Sequence, residues 1–291
     1  MSAEKMQAEL DLRCMSYNIK NAYDKEGENV WSSRKELVAG VIRFHRPDLV
    51  GMQEVLHNQL EDLEQLLPEY GWIGVGREDG KQDGEFSCIF YRKCRLQPLR
   101  QSTFWLSEQP DEPGTLGWDA ACRRVVTWGE FEDTYTGKRF LHFNTHFDHI
   151  GQVAVEQSAH LILQRIGDIT EGRPAVLTGD FNVTSDSVPY RVLTQQDKAG
   201  PTLLRDASTT ADYKHFGPAF TFQGFDSREV AARSFPAFLE GQAKHEIEFE
   251  SPIDFIFVTE HAHVLSYGSI PDHSQGKMPS DHYPVVADLR L

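Results

Sequence analysis

Little in this 291-residue chain suits a disulfide-stapled domain, a membrane span or a nucleic-acid track. Cysteine is scarce: Cys14, Cys88, Cys94 and Cys122 show no CxxC or Cys/His spacing, so no structural zinc site is expected. Cys14 and Cys88 sit in apolar stretches and read as buried free thiols. Apolar runs extend only a few residues, far short of the ~20 needed to cross a bilayer. Basic residues are also few, 29 Lys+Arg against 44 Asp+Glu, for a net charge of −15 at pH 7. A field of that sign repels extended polyanions and argues against non-specific DNA binding, although a local cationic pocket can still hold one phosphate. The opening segment MSAEKMQAELDLR is polar and lacks an apolar h-region, which points to a cytoplasmic protein. No obligate protein partner is evident.

No repeat, low-complexity tract or Gly/Ser linker divides the chain, so a single domain over residues 1–291 is expected. Residues Leu12 to Ile19, Asp48 to Val55, Phe86 to Tyr91, Val125 to Phe131 and Phe140 to Phe147 read as strands. Ala175 to Thr178, Ile253 to Thr259, His263 to Tyr267 and Pro284 to Leu291 supply the later ones. Helical faces run through Leu37, Val38, Val41 and Ile42, with Ser32 or Ser33 as the cap, and through Leu60, Leu63, Leu66 and Leu67. Val155, Ala159, Ile162, Ile166 and Ile169 mark a third helix of about four turns. Gly200 to Ser251 is punctuated by proline and glycine and reads as long loops at the mouth of a site. Strands outnumber helices, without a regular βαβ alternation, so two packed sheets with helices outside are expected.

The informative residues are polar ones at the ends of apolar strands, where a side chain is held rigidly at a sheet edge. Asn18 ends the first strand, and Glu54 ends Leu-Val-Gly-Met-Gln-Glu. His146 sits in Asn-Thr-His-Phe-Asp-His, Asp180 and Asn182 in Gly-Asp-Phe-Asn, and Asp281 and His282 in Ser-Asp-His-Tyr-Pro. Each has an ordinary explanation as a turn or a solvated strand end. Asp254, within Pro-Ile-Asp-Phe-Ile-Phe, resists one, because a carboxylate among apolar side chains is costly unless paired.

Taken together and in this order, these segments resemble the exonuclease–endonuclease–phosphatase superfamily, and Gly-Trp-Asp-Ala-Ala and Thr-Phe-Trp-Leu-Ser resemble a bacterial branch of it. The resemblance spans Asn18 to His282 and implies a four-layer α/β sandwich, two mostly antiparallel sheets flanked by helices, with the site at one sheet edge. It also implies a Mg²⁺ or Mn²⁺ held by Glu54, Asn18 and Asp281, with Asp180 and Asn182 positioning water and phosphate. His282 paired with Asp254 resembles the family's orienting pair. His146 would contact a phosphate oxygen, with Glu85 as its carboxylate partner. Lys20 stands where some endonucleases carry a second metal carboxylate, which favours one metal or a lysine–phosphate contact. Hydrolysis of a phosphoester needs charge neutralised at the phosphoryl oxygens and a water held in line, and these residue types suit both tasks. Carboxylate partners are expected to keep both histidines protonated.

Arg124 is a candidate phosphate or sugar contact, or else a surface arginine. Phe222, with Phe220, is a stacking platform or simply a strand with a core face. Asp148 and His149 extend the site or belong to a loop. The acidic balance from Gly224 to Glu250 and the lone basic cluster Arg92-Lys93-x-Arg95 with Arg100 favour a small phosphorylated substrate or short oligonucleotide. A nuclease with a local cationic groove and a catalytically inactive binding module remain the alternatives.

Overall fold

A computed structural model describes residues 9–195, 203–225 and 251–291. In chain order its elements are β1 (Asp11–Asn18), α1 (Trp31–His45), β2 (Leu49–Gln53), α2 (His57–Leu66), β3 (Tyr70–Ile73) and β4 (Ile89–Arg92). Then come β5 (Leu96–Trp105), β6 (Val125–Asp133), β7 (Arg139–His146), α3 (Gln152–Thr170), β8 (Ala175–Asp180) and α4 (Val188–Thr194). The last are β9 (Leu204–Asp206), α5 (Ala207–Thr210), β10 (Tyr213–Phe216), β11 (Asp254–Thr259), β12 (His263–Ser269) and β13 (Val285–Arg290).

They form a seven-stranded sheet in the order β10-β12-β13-β1-β2-β4-β3 and a six-stranded sheet in the order β5-β6-β7-β8-β11-β9. Most neighbours are antiparallel; β1 with β2, β7 with β8 and β10 with β12 are parallel. Side chains alternate across each strand. Leu12 and Cys14 of β1 face Phe140, Val176 and Ile256 in the layer between the sheets, while Met15 and Tyr17 face Val38, Ile42 and Leu63 of α1 and α2. On the other side, Phe143, Leu177 and Phe257 meet Val155, Ile162 and Ile166 of α3 and Leu193 of α4. Three apolar layers therefore separate four layers of structure, as the resemblance implies.

Some expectations need correction. Neither Ser32 nor Ser33 caps α1, which starts at Trp31 with Val30 at the N-cap and no side-chain cap bond. The stretch from Gly200 is not all loop: β9, α5 and β10 lie within it, and Phe222 bridges to His282. Residues 226–250, and with them most of the acidic segment, lie outside the described residues. Arg92 and Arg95 pair with Asp48, Arg95 also with Asp133, and Arg100 with Glu130, so three of the four cations in the basic cluster are engaged by carboxylates. No helix among the described residues is long and apolar enough to cross a membrane.

The inner layer changes character along its strands. Cys14, Ser16 and Asn18 follow one another on the inner face of β1, and Leu49, Gly51 and Gln53 on that of β2. On β7 the sequence is Phe140, His142, Asn144, His146; on β8 it is Val176, Thr178, Asp180. Strand β11 runs the opposite way, so its Asp254 lies opposite Asp180 in register. These strands thus pass from apolar residues to polar ones at the same end of the sandwich, ending in the amides Asn18 and Gln53 and the ionisable His146, Asp180 and Asp254. In the middle, Asn144 accepts from Gln53 Nε2 at 2.7 Å and from Thr178 Oγ1 at 2.9 Å. It donates to the carbonyls of Met52 and Cys88, which ties the two sheets together. Gly51 permits that approach: a Cβ there would lie 2.0 Å from Thr178 Oγ1.

Candidate active site

The polar strand ends open into a cleft of about 380 Å³ lined by Lys20, Glu54, His146, Asp180, Asn182 and His282, among others. Lys20, Glu54 and Asn182 have left-handed backbones, with φ of 58°, 61° and 50°. For L-residues outside helices this costs roughly 1–2 kcal/mol each. All three occur within two residues of the end of a strand, turning the chain sharply where the cleft begins.

Asp180 sits at the centre. Its Oδ2 accepts from Asn18 Nδ2 at 2.9 Å and its Oδ1 from the Asn182 N–H at 3.0 Å. His282 Nε2 lies 3.7 Å from Oδ2, and His282 Nδ1 is 2.8 Å from Asp254 Oδ2. Burial alone would depress the His282 imidazolium, but the charges of Asp254 and Asp180 outweigh it and raise its pKa to about 10. Burial, reinforced by Asp254, pushes the Asp180 carboxyl up to about 7. The pairing expected for His282 and Asp254 is therefore present, which accounts for a carboxylate inside an apolar strand.

His146 differs from expectation. Its Nδ1 has no partner among the described residues, and Glu85 bonds Arg77 Nη1 at 2.6 Å and Asn21 Nδ2 at 3.1 Å instead. Burial, together with the nearby charges of Arg124 and Arg77, holds His146 well below its ordinary pKa, so it is neutral rather than a charged donor. The Asn182 amide nitrogen donates to the Phe147 carbonyl and lies 3.1 Å from His146 Nε2. That nitrogen therefore accepts, and the ring proton belongs on Nδ1.

Glu54 anchors the other side. Asn21 donates to its Oε2 through both backbone and side chain, at 3.1 and 2.7 Å, and Asn18 Nδ2 donates to its Oε1 at 3.1 Å. Burial would raise the Glu54 carboxyl, but these bonds with the charges of Lys20 and His282 hold it below its usual value. Asn18 is beside Glu54 as expected, yet it turns its nitrogen, not its oxygen, to the carboxylates. An amide oxygen there would face both Glu54 and Asp180, and Asn18 Oδ1 instead accepts the Lys20 N–H at 3.0 Å. Through its side-chain nitrogen, Asn18 orients both carboxylates. Asp281 stands 3.8 Å from Lys20 Nζ, with burial and the charge of Glu54 among the causes that raise its carboxyl.

Among the described residues three groups have the chemistry to hold a cation. One of them, Cys122, Asp148 and His149, is occupied by loop contacts: Asp148 accepts backbone N–H groups and His149 Nδ1 lies 3.2 Å from Arg124 Nη2. Asp180, Asp254 and His282 offer ligand atoms within 4.8 Å of one another. His282, however, is already engaged on both sides, with Nδ1 2.8 Å from Asp254 and Nε2 3.7 Å from Asp180, so the ring serves these carboxylates. Glu54 and Asp281 supply hard oxygen donors, and among the described residues Lys20 ion-pairs with Asp281, a setting that suits a hard divalent cation.

Arg124 lines the cleft, as does Phe222, whose ring lies 5.0 Å from that of His282. Asp148 is a loop residue: it accepts the backbone N–H groups of Cys122, Ile150 and Gly151. Sequence reasoning missed Asn21, Arg77 and the buried Arg34. Arg34 donates to the carbonyls of Ile19, Lys20 and Pro279 and so fixes the ends of the Asn18 and Asp281 segments. A second amide three residues past Asn18 was the available signal for Asn21; the two arginines sit at unremarkable positions in helix and loop.

Residues 15–282 match the Endonuclease/Exonuclease/phosphatase family. The structure is similar to an endonuclease/exonuclease/phosphatase from Bacteroides vulgatus, with 43% identity, a TM-score of 0.84, and coverage of 97% of this chain and 99% of that one. It is also similar to a mannosyl-6-phosphatase from Bacteroides thetaiotaomicron, with 35% identity, a TM-score of 0.80, and coverage of 96% and 99%. Nocturnin from Drosophila melanogaster is 25% identical over 287 residues, which is 90% of this chain and 42% of that protein, so the chain spans under half of that relative. A match this long, over strand ends that converge as described, shows that the chain belongs to the endonuclease/exonuclease/phosphatase family, whose members hydrolyse phosphoesters.

Proposed function

We propose that this protein uses a divalent cation to hydrolyse the phosphoester of a small substrate, with water attacking phosphorus. The observation that carries the reading is the line Asp254–His282–Asp180, with contacts of 2.8 and 3.7 Å, aimed into the cleft that also holds Glu54 and Asp281. Asp180, ionised, accepts the proton of the attacking water, and the Asn18 amide and Asn182 N–H fix its two oxygens. His282, protonated and oriented by Asp254, donates to a phosphoryl oxygen as charge develops there. The new P–O bond forms to the water oxygen, the ester P–O bond breaks, and the alkoxide departs and is protonated by solvent to the alcohol. His146 contacts the phosphate, Asn182 positions that ring through its side-chain amide and Asp180 through its backbone N–H, and Phe222 packs against the part of the substrate beyond it. Glu54 and Asp281 would hold Mg²⁺ or Mn²⁺, which when bound neutralises phosphoryl charge as a Lewis acid.

Three features support a small substrate. The cleft is about 380 Å³, the net charge is −15, and the basic cluster near β4 is tied up in ion pairs. Similarity to a protein named as a mannosyl-6-phosphatase agrees with a sugar phosphate. The test is a screen of phosphomonoesters, phosphodiesters and oligonucleotides with Mg²⁺, Mn²⁺ and EDTA. Turnover of a small ester that EDTA abolishes and added salt barely slows is expected. Turnover confined to oligonucleotides and falling steeply with salt would make it a nuclease. No cation binding and no hydrolysis of any ester would leave a binding module.

A further inference from the structure

Two guanidinium groups line the cleft with buried N–H groups that make no hydrogen bond among the described residues. Arg124 immediately precedes β6 and is only 5% exposed. Its Nη2 lies 3.2 Å from His149 Nδ1, but Nε and Nη1 have no hydrogen-bond partner among the described residues. Asp148 does not supply one: its Oδ2 is 3.8 Å from Arg124 Nε and already accepts the Cys122 N–H. Arg77 donates through Nη1 to Glu85, and its buried Nε makes no hydrogen bond among the described residues but lies 3.6 Å from Glu78 Oε1, so Arg124 is the less engaged of the two. Unpaired buried donors of like charge are costly to assemble, and a bound anion is the group that would satisfy them.

Position narrows the anion. Both arginines line the cleft of about 380 Å³ together with Glu54, His146, Asp180 and His282, so they face the reacting phosphoryl group rather than a remote part of the substrate. A smaller hollow that they also line, with Glu85, Phe86, Ser87 and Val125, has no room for a water-sized molecule. A phosphodiester carries one negative charge on two terminal oxygens, whereas a monoester dianion presents three terminal oxygens. With His282 donating to one terminal oxygen, a monoester dianion still offers the two that a planar guanidinium matches at once, and a diester offers one.

The geometry points to Arg124, with Arg77 beside it, as the site that binds the terminal oxygens of a phosphoryl dianion, which makes phosphate monoesters the substrate class. The inference rests on the phosphoester-hydrolase reading above and specifies it.

The test compares p-nitrophenyl phosphate with methyl p-nitrophenyl phosphate, which share a leaving group, for the wild type, Arg124→Met and Arg124→Lys in Mg²⁺. The wild type should favour the monoester. Arg124→Met should lower kcat/KM on it roughly 10²-fold, the scale for loss of one donor to a transition-state oxygen. The diester loss should be at least tenfold smaller, and Arg124→Lys should fall between, since charge remains but the fork is lost. Equal losses on both esters, or a wild type that prefers the diester, would overturn the inference. Calorimetry of the wild type needs no variant: orthophosphate should bind at least tenfold more tightly than dimethyl phosphate, and equal affinity would contradict the assignment. If neither ester turns over, yet orthophosphate binding is strong and lost in Arg124→Met with cooperative melting retained, the dianion site stands and the hydrolase reading fails.

Discussion

The two ends of the inter-sheet layer are built from the same strands and do opposite work. At one end, Leu12, Leu49, Phe140, Val176 and Val258 are all 2% exposed or less and interlock as apolar core. At the other, Asn18, Glu54, His146, Asp180 and Asp254 occupy the matching faces of strands β1, β2, β7, β8 and β11 or lie at their ends. Between them, Ser16, Gln53, Asn144 and Thr178 form a buried hydrogen-bonded band. Apolar burial at one end holds rigid strand tips at the other. Left-handed residues and a raised Asp180 carboxyl can therefore persist where they would be unfavourable in isolation.

The sharpest way to break this comparison is to damage each end separately. Asp180→Asn should lower turnover by about 10²–10⁴ and His282→Ala by about 10²–10³, the scales for a lost general base and a lost oxyanion donor. Melting temperatures should change little. A folded Asp180→Asn with wild-type rates would remove Asp180 from water activation. Phe140→Ala should do the reverse, costing about 3–5 kcal/mol of stability while the molecules that remain folded keep their kcat. Denaturant titration beside active-site titration separates the two quantities. Asn144→Ala strikes the band between the ends. It leaves Gln53, Thr178 and two carbonyls short of partners, for about 2–4 kcal/mol, and it should slow turnover roughly tenfold through misplaced strand tips. A loss of stability with no change in rate would show that the band does not position the site.

A smaller effect is read from pH. Asp180 must be ionised to accept a proton, so kcat/KM should fall as pH drops below about 7. His282 must be protonated, so activity should hold until it deprotonates near pH 10. For stability the sign follows from the raised folded value. The contribution of His282 is fully present below its ordinary 6.5 and is lost as pH rises through about 10. Asp254→Asn should shift the alkaline limb to lower pH, and an unmoved limb would assign it to another group.

Alternating apolar residues made the central strands legible, and Asp254 stood out in sequence because its neighbours are isoleucine and phenylalanine. The edge strand β5 escaped notice: its middle is solvated and polar, and Pro98 lies at a register shift, so no period-two pattern survives. Helix α4 is seven residues, too short for a helical period to emerge. In the site, strand-end residues were legible because local sequence places them. Contacts that join distant segments were not. Glu85 was expected on His146 but bonds Arg77, a loop residue whose neighbours in sequence are glycine and acidic side chains. The neutrality of His146 has the same origin, since burial and the arginines that depress it are brought there only by folding.

The central claim is that Glu54 and Asp281 hold the cation while His282 is reserved for the carboxylates. A Mn²⁺ titration followed by electron paramagnetic resonance, run on the wild type, Glu54→Gln and Asp254→Asn, tests it directly. One bound Mn²⁺ per chain is expected, weakened at least tenfold in Glu54→Gln and nearly unchanged in Asp254→Asn, in keeping with loss of one carboxylate ligand. Binding that survives Glu54→Gln but disappears in Asp254→Asn would place the ion among Asp180, Asp254 and His282 and contradict the account.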